Sequence, residues 1–73
     1  MTQNEQVLDY LKKHKGITSI EAINNFGITR LSARIADLRR DGHIIGAESV
    51  TYKRTDGKKT TFVRYSLLEA NHG

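Results

Sequence analysis

Cysteine, proline and tryptophan are absent from the 73 residues, and the aromatic complement is two phenylalanines and three tyrosines. Without cysteine, no disulfide can staple the fold and no zinc site of the cysteine type can form. A chain this short buries a modest fraction of its surface and lies near the lower limit for unaided folding. Compact packing of short elements therefore has to supply the stability, whether or not a partner helps. The lack of cysteine suits a reducing cytoplasm, which is the expected location. No apolar run approaches membrane-spanning length, and no secretory signal or lipidation motif is visible, so no membrane association is expected.

Catalytic equipment is equally sparse. His14, His43 and His72 lie far apart and lack ligand-type spacing. Gly42 and Gly46 stand alone and match neither a phosphate-binding loop nor a dinucleotide fingerprint. The carboxylates are scattered or placed where helix caps are expected. Tyr10, Phe26, Tyr52, Phe62 and Tyr65 are too few and too regularly spaced for a single-strand stacking platform; most belong in a core, with Tyr52 or Phe62 as candidates for exposure. The expectation is a protein that is not an enzyme and carries no cofactor and no metal.

What the chain does have is positive charge. Twelve Lys and Arg against eight Asp and Glu give a formal net charge of +4, which favours an acidic partner such as nucleic acid. The total is a weak signal on its own, so the placement of the cations decides.

Thr2-Gln3-Asn4-Glu5 has the form of a capping box, followed by Val7, Leu8 and Leu11 on one helical stripe. Lys12, Lys13, His14 and Lys15 then suit a helix carboxyl end, and Gly16 is a natural stop. These signals predict a first helix over residues 3–14. Ile17 is a lone apolar residue that can pair with a later hairpin as a very short strand. Thr18-Ser19-Ile20-Glu21 repeats the capping box, and Ala22, Ile23 and Phe26 are expected to form the buried stripe of a short second helix ending at Gly27. Thr29 is the next good N-cap. Leu31, Ile35 and Leu38 then give the inward stripe of a third helix over 30–40, closed by Gly42.

From Ile44 the period changes. Val50-Thr51-Tyr52 and Thr60 to Tyr65 are rich in β-branched and aromatic residues, and Asp56-Gly57 between them signals a hairpin. Val63, Tyr65 and Leu67 are expected to face the helices, and Val50 and Tyr52 to do the same after a bulge near Gly46. Residues 1–68 are expected to form the domain and 69–73 a frayed tail.

Two helices joined by a tight turn, followed by a basic hairpin, make the layout of a winged helix-turn-helix: an α+β fold with three helices and a β-hairpin wing. Such a fold can place its third helix in a DNA major groove. With the apolar stripe inward, Thr29, Ser32, Ala33, Ala36, Asp37 and Arg40 lie outward or on the flanks, and Arg30 sits near the tip. The alanines allow close approach, while the arginines and Ser32 can bond phosphates or base edges. Arg34 has two open roles, pairing with Asp37 or Glu21, or contact with DNA. Thr18 and Ser19 open the second helix, whose first-turn N–H groups can receive a phosphate. Lys53, Arg54, Lys58 and Lys59 crowd the hairpin tip, where they suit a phosphate strand or minor groove, or simply solubility.

The run from Gly16 through Thr18-Ser19-Ile20-Glu21-Ala22-Ile23, then Phe26-Gly27-Ile28-Thr29-Arg30-Leu31-Ser32-Ala33-Arg34-Ile35-Ala36-Asp37-Leu38-Arg39, resembles a family of short helix-turn-helix proteins from phages and prophages. The likeness continues through Asp41-Gly42-His43-Ile44-Ile45 and Arg64-Tyr65-Ser66-Leu67. It implies a winged helix acting in phage DNA transactions: transcriptional control, excision or replication. The turn after Gly27 is about two residues shorter than in large winged-helix regulators. The expected partner is double-stranded DNA, with the protein nucleoid-associated when bound, and with a weak homodimer or cooperative assembly on DNA. The alternative is a protein-docking winged helix, such as an inhibitor of a host protein.

Overall fold

The computed structural model describes residues 1–68; the tail expected over 69–73 lies outside the described residues. Three helices, α1 (Gln3–Lys13), α2 (Ser19–Phe26) and α3 (Leu31–Arg40), are joined by a two-residue strand β1 (Ile17–Thr18) and followed by strands β2 (Ile45–Lys53) and β3 (Lys59–Leu67). The sheet is antiparallel, in the order β1-β3-β2. Ile17 does pair with the hairpin, opposite Tyr65.

Both capping boxes form. Thr2 Oγ1 accepts from the Glu5 N–H at 3.1 Å, and Glu5 Oε1 accepts from the Thr2 N–H at 2.9 Å. The Thr2 backbone N–H, and after it the Thr2 hydroxyl, bond to the Glu5 carboxylate and hold it below its ordinary pKa. Thr18 and Glu21 repeat the exchange at 3.3 and 2.9 Å. The first helix ends at Lys13, one residue earlier than expected.

The core gathers Val7 and Leu11 from α1, Ile17 from β1, Ala22 from α2, Ile28, the stripe Leu31, Ile35 and Leu38 from α3, and Ile45 from β2. Ile28 explains two departures from expectation. Gly27 caps α2 in the left-handed conformation (φ 68°), and the following Ile28 turns into the core with 1% of its surface exposed. Ile28 joins Ala22 in the core, with Phe26 packed against it, while Ile23 is 47% exposed rather than buried. The chain also needs Gly27 to Arg30 for this turn, so α3 begins at Leu31 and Thr29 stands too early to cap it. The N-cap residue is Arg30, and no side chain caps the helix.

The hairpin also corrects its expected phase. Pairing runs without a break from Ile45↔Leu67 to Lys53↔Lys59, with no bulge at Gly46. Side chains alternate along a strand, so burial of Ile45 puts Ala47 and Ser49 on the helix side with Tyr65 and Val63. Val50 and Tyr52 therefore share the opposite, outer face with Phe62 and Thr60. Val63 has the expected face but is exposed, because the strands there have already left the helical body. The connection is a three-residue loop: Arg54 N–H donates to the Lys58 carbonyl at 2.7 Å, Gly57 N–H donates to the Arg54 carbonyl at 3.1 Å, and Gly57 takes φ 87°.

Two local features set stability tests. A Cβ on Gly16 would lie 2.8 Å from both Arg64 Cγ and the Tyr65 carbonyl oxygen, where the loop after α1 passes β3. Gly16→Ala should cost about 1–3 kcal/mol by forcing the two segments apart, read as a lower urea midpoint. Tyr10 stacks on His14 (centroids 4.1 Å apart), meets Phe26 edge-on, and donates its hydroxyl to Glu21 Oε2 at 3.0 Å. Desolvation, reinforced by that bond to a carboxylate, raises the Tyr10 pKa above its ordinary value. Its contribution is thus complete below the ordinary tyrosine pKa of about 10 and lost as pH rises through the higher folded value. Tyr10→Phe should be less stable than the parent at neutral pH, and the gap should close in urea melts at increasingly alkaline pH.

Candidate nucleic-acid interface

The residues proposed for α3 separate into two rows. Ser32, Ala36 and Arg40 recur at i+4 and are exposed, and exposed Thr29 and Arg30 precede them at the helix tip. Ala33, Arg34 and Asp37 are half-buried, with the two charged residues turned toward α1. The first turn of α3 has no acidic residue and no side-chain cap, unlike those of α1 and α2, which both contain a glutamate. Its N-terminal N–H groups and partial positive charge therefore stand beside Arg30 without a competing carboxylate, an arrangement suited to a phosphate. At α2, Thr18 and Glu21 satisfy each other and Ser19 is exposed, so this end is less open to an anion.

Asp37 is the hub of the flank. Oδ1 receives Arg40 Nη2 at 2.8 Å, and Oδ2 lies 3.2 Å from Arg34 Nη2 and 3.4 Å from Asn4 Nδ2. Arg34 Nη1 also reaches Gln3 Oε1 at 3.4 Å. Of the two partners considered for Arg34, Asp37 is the one it takes; Glu21 is occupied by Thr18 and Tyr10. Two buried polar atoms of this seam, Asn4 Oδ1 and Arg34 Nε, make no hydrogen bond. Arg34 has 31% of its side chain exposed and Arg40 76%. Arg40 is thus the more readily diverted from Asp37 to an incoming anion.

Arg39, in the last turn of α3, has a structural role. Its Nε and Nη2 both donate to the Ile45 carbonyl, at 3.1 and 2.7 Å. The guanidinium ties the end of the third helix to the start of the hairpin. The available signal was spacing: Arg39 lies four residues after buried Ile35 and so leans over the core rather than away from it.

Every residue from Thr51 to Thr61 is exposed, including Lys53, Arg54, Lys58 and Lys59. Asp56 partly offsets this charge. Its Oδ1 accepts the Lys58 N–H at 3.0 Å, and its Oδ2 lies 3.9 Å from Arg54 Nε. The tip is therefore a shaped turn with lysines held outside it. Among the described residues, no cluster of His, Cys, Asp or Glu has the makings of a metal site, and no helix is long and apolar enough to cross a membrane.

Three helices with an uncapped third helix, a three-stranded antiparallel sheet and a cationic hairpin define a winged helix, an architecture that points to DNA as ligand. The model of the winged helix-turn-helix domain family matches residues 2–70, and the chain belongs to that family. No curated protein and no solved structure gives a match to the chain.

Asp37→Asn should loosen the contact between α1 and α3. At this partial exposure the cost should be about 1 kcal/mol or less, measured by urea denaturation, with secondary structure unchanged by circular dichroism.

Proposed function

We propose that the protein binds double-stranded DNA, with α3 entering the major groove and the wing lying on phosphates or in the flanking minor groove. The observation that carries the reading is the pairing of an uncapped, acid-free α3 tip beside Arg30 with four exposed cations at the wing. Ser32, Ala36 and Arg40 form the reading ridge. Ala33 permits close approach, Thr29 flanks the tip, and Arg34 and Asp37 position Arg40 and join the contact at its edge. Thr18 and Ser19 are secondary phosphate contacts. The mechanism is occupancy or bending of DNA, without catalysis and without a cofactor. The resemblance to short phage and prophage proteins supports a part in transcriptional control, excision or replication, inside a bacterial cell. One module reads few base pairs, so useful specificity calls for two copies or cooperative assembly.

A salt titration with a random-sequence duplex tests this reading. Contact with about four to six phosphates should give a log-log slope of roughly −4 to −5; no duplex affinity at low salt would leave protein docking as the better account. Arg30→Ala with Arg40→Ala should weaken binding while the urea midpoint holds. Lys58→Ala with Lys59→Ala should weaken it equally across sequences and flatten the slope by roughly 2.

A further inference from the structure

The hydrogen bonds at the two ends of the hairpin fix which backbone groups face outward. Leu68 N–H donates to the Ile44 carbonyl, and Arg54 N–H donates to the Lys58 carbonyl. In an antiparallel ladder, hydrogen-bonded pairs alternate with non-bonded ones. With unbroken register between those ends, the even-numbered residues of β2 bond to β3. The N–H and C=O groups of Ala47, Ser49, Thr51 and Lys53 therefore point to the free edge, since β2 is the outer strand. Ile45 points the same way, and Arg39 already holds its carbonyl. An edge of this length is a template for another strand.

We infer that β2 pairs antiparallel with β2 of a second copy of this chain about a two-fold axis at Thr51, deepening the DNA-binding reading by specifying the dimer. The backbone parity, the charges and the Arg39 clamp together select this register. Centring on Glu48 would oppose two glutamates. Centring on Ser49 would set Lys53 against Ile45, beside the Arg39 guanidinium. Centring on Val50 would put Glu48 opposite Tyr52 and form no ion pair. At Thr51, Ser49 meets Lys53, Val50 meets exposed Tyr52, and Glu48 meets Arg54, each twice by symmetry. Arg64 binds Glu48 through Oε1, so Oε2 can accept from an incoming Arg54. The free edge of β3 is a poorer template. It is shorter, bounded by β1 at Arg64, and a two-fold at Thr61 would oppose Lys58 to Arg64.

The pairing also sets a distance. Six residues from Ile45 to Thr51, at about 3.3 Å each, place the two hairpin roots roughly 40 Å apart along the strands. Half-sites one DNA turn apart are separated by roughly 34–36 Å, so the joined wings would span neighbouring turns with both helical bodies on the same face of the combined sheet.

Sedimentation equilibrium of the full chain without DNA, over a concentration series, tests the pairing. The mass should rise from 8.3 kDa towards twice that value. Thr51→Pro removes an N–H that faces away from β3, so it should keep the circular dichroism spectrum and hold the chain at the monomer mass. Glu48→Gln and Arg54→Glu should each weaken association, the charge reversal by roughly tenfold. A monomer at every concentration, or a dimer indifferent to all three changes, would overturn the pairing. Monomeric Thr51→Pro should still bind a single-site duplex; failure there, with dimerisation of the parent intact, counts against the DNA reading instead.

Discussion

Burial of Ile45 fixes the relation between the helical body and the wing. It is the buried hydrophobic residue of β2, and a strand alternates its faces at every step, so seating this side chain decides where every other residue of the hairpin points. A slip of one residue would turn Val50 and Tyr52 toward the helices and Ala47 and Ser49 away. Arg39 reinforces the choice from α3 by gripping the Ile45 carbonyl with two donors. The last turn of the third helix and the first residue of the wing are thus held together. The same clamp closes one end of an otherwise open sheet edge.

The residues of the proposed interface differ by burial. The α3 tip, with Arg30 and no carboxylate in its first turn, combines helix-end N–H groups with an exposed cation. Arg40 lies along the exposed ridge with Asp37 as its resting partner, while Arg34, more buried, braces α1 against α3. At the wing, Asp56 shapes the turn by taking the Lys58 N–H, and the lysine side chains project beyond it. Phosphate contacts position a protein, and contacts with base edges specify sequence. The wing and the α3 tip suit the first task; the ridge of Ser32, Ala36 and Arg40 suits the second.

Much of this was legible in the sequence because it depends on local chemistry. Two T-x-x-E boxes announced two helix starts and both form. The Leu31, Ile35, Leu38 stripe is buried throughout, Ile17 pairs as a minimal strand, and the hairpin turns around Asp56-Gly57. The misses at the α2–α3 turn and in the hairpin share another cause: both depended on a tertiary competition between apolar residues. Ile23 and Ile28 were both eligible for one region of the core, and the left-handed turn at Gly27 gave it to Ile28. That choice also lengthened the turn, moving the N-cap from Thr29 to Arg30. In the hairpin, Ile44, Ile45, Val50 and Tyr52 fit either phase with or without a bulge, and only contact with the helices selects Ile45. The clamp made by Arg39 was not legible because its partner is a backbone carbonyl, which composition does not mark; only its spacing from Ile35 pointed toward the core.

The central claim is that the tip and ridge of α3 and the wing contact one duplex together. Titrating the isotopically labelled chain with a short DNA duplex at low salt, and following backbone amide resonances, tests it most directly. The expected result is concerted, saturable shifts at Leu31, Ser32 and Ala36 and across Arg54 to Lys59, with the buried α1 residues Val7 and Leu11 little changed. Shifts confined to α1 and α2, or no shifts at all, would contradict it.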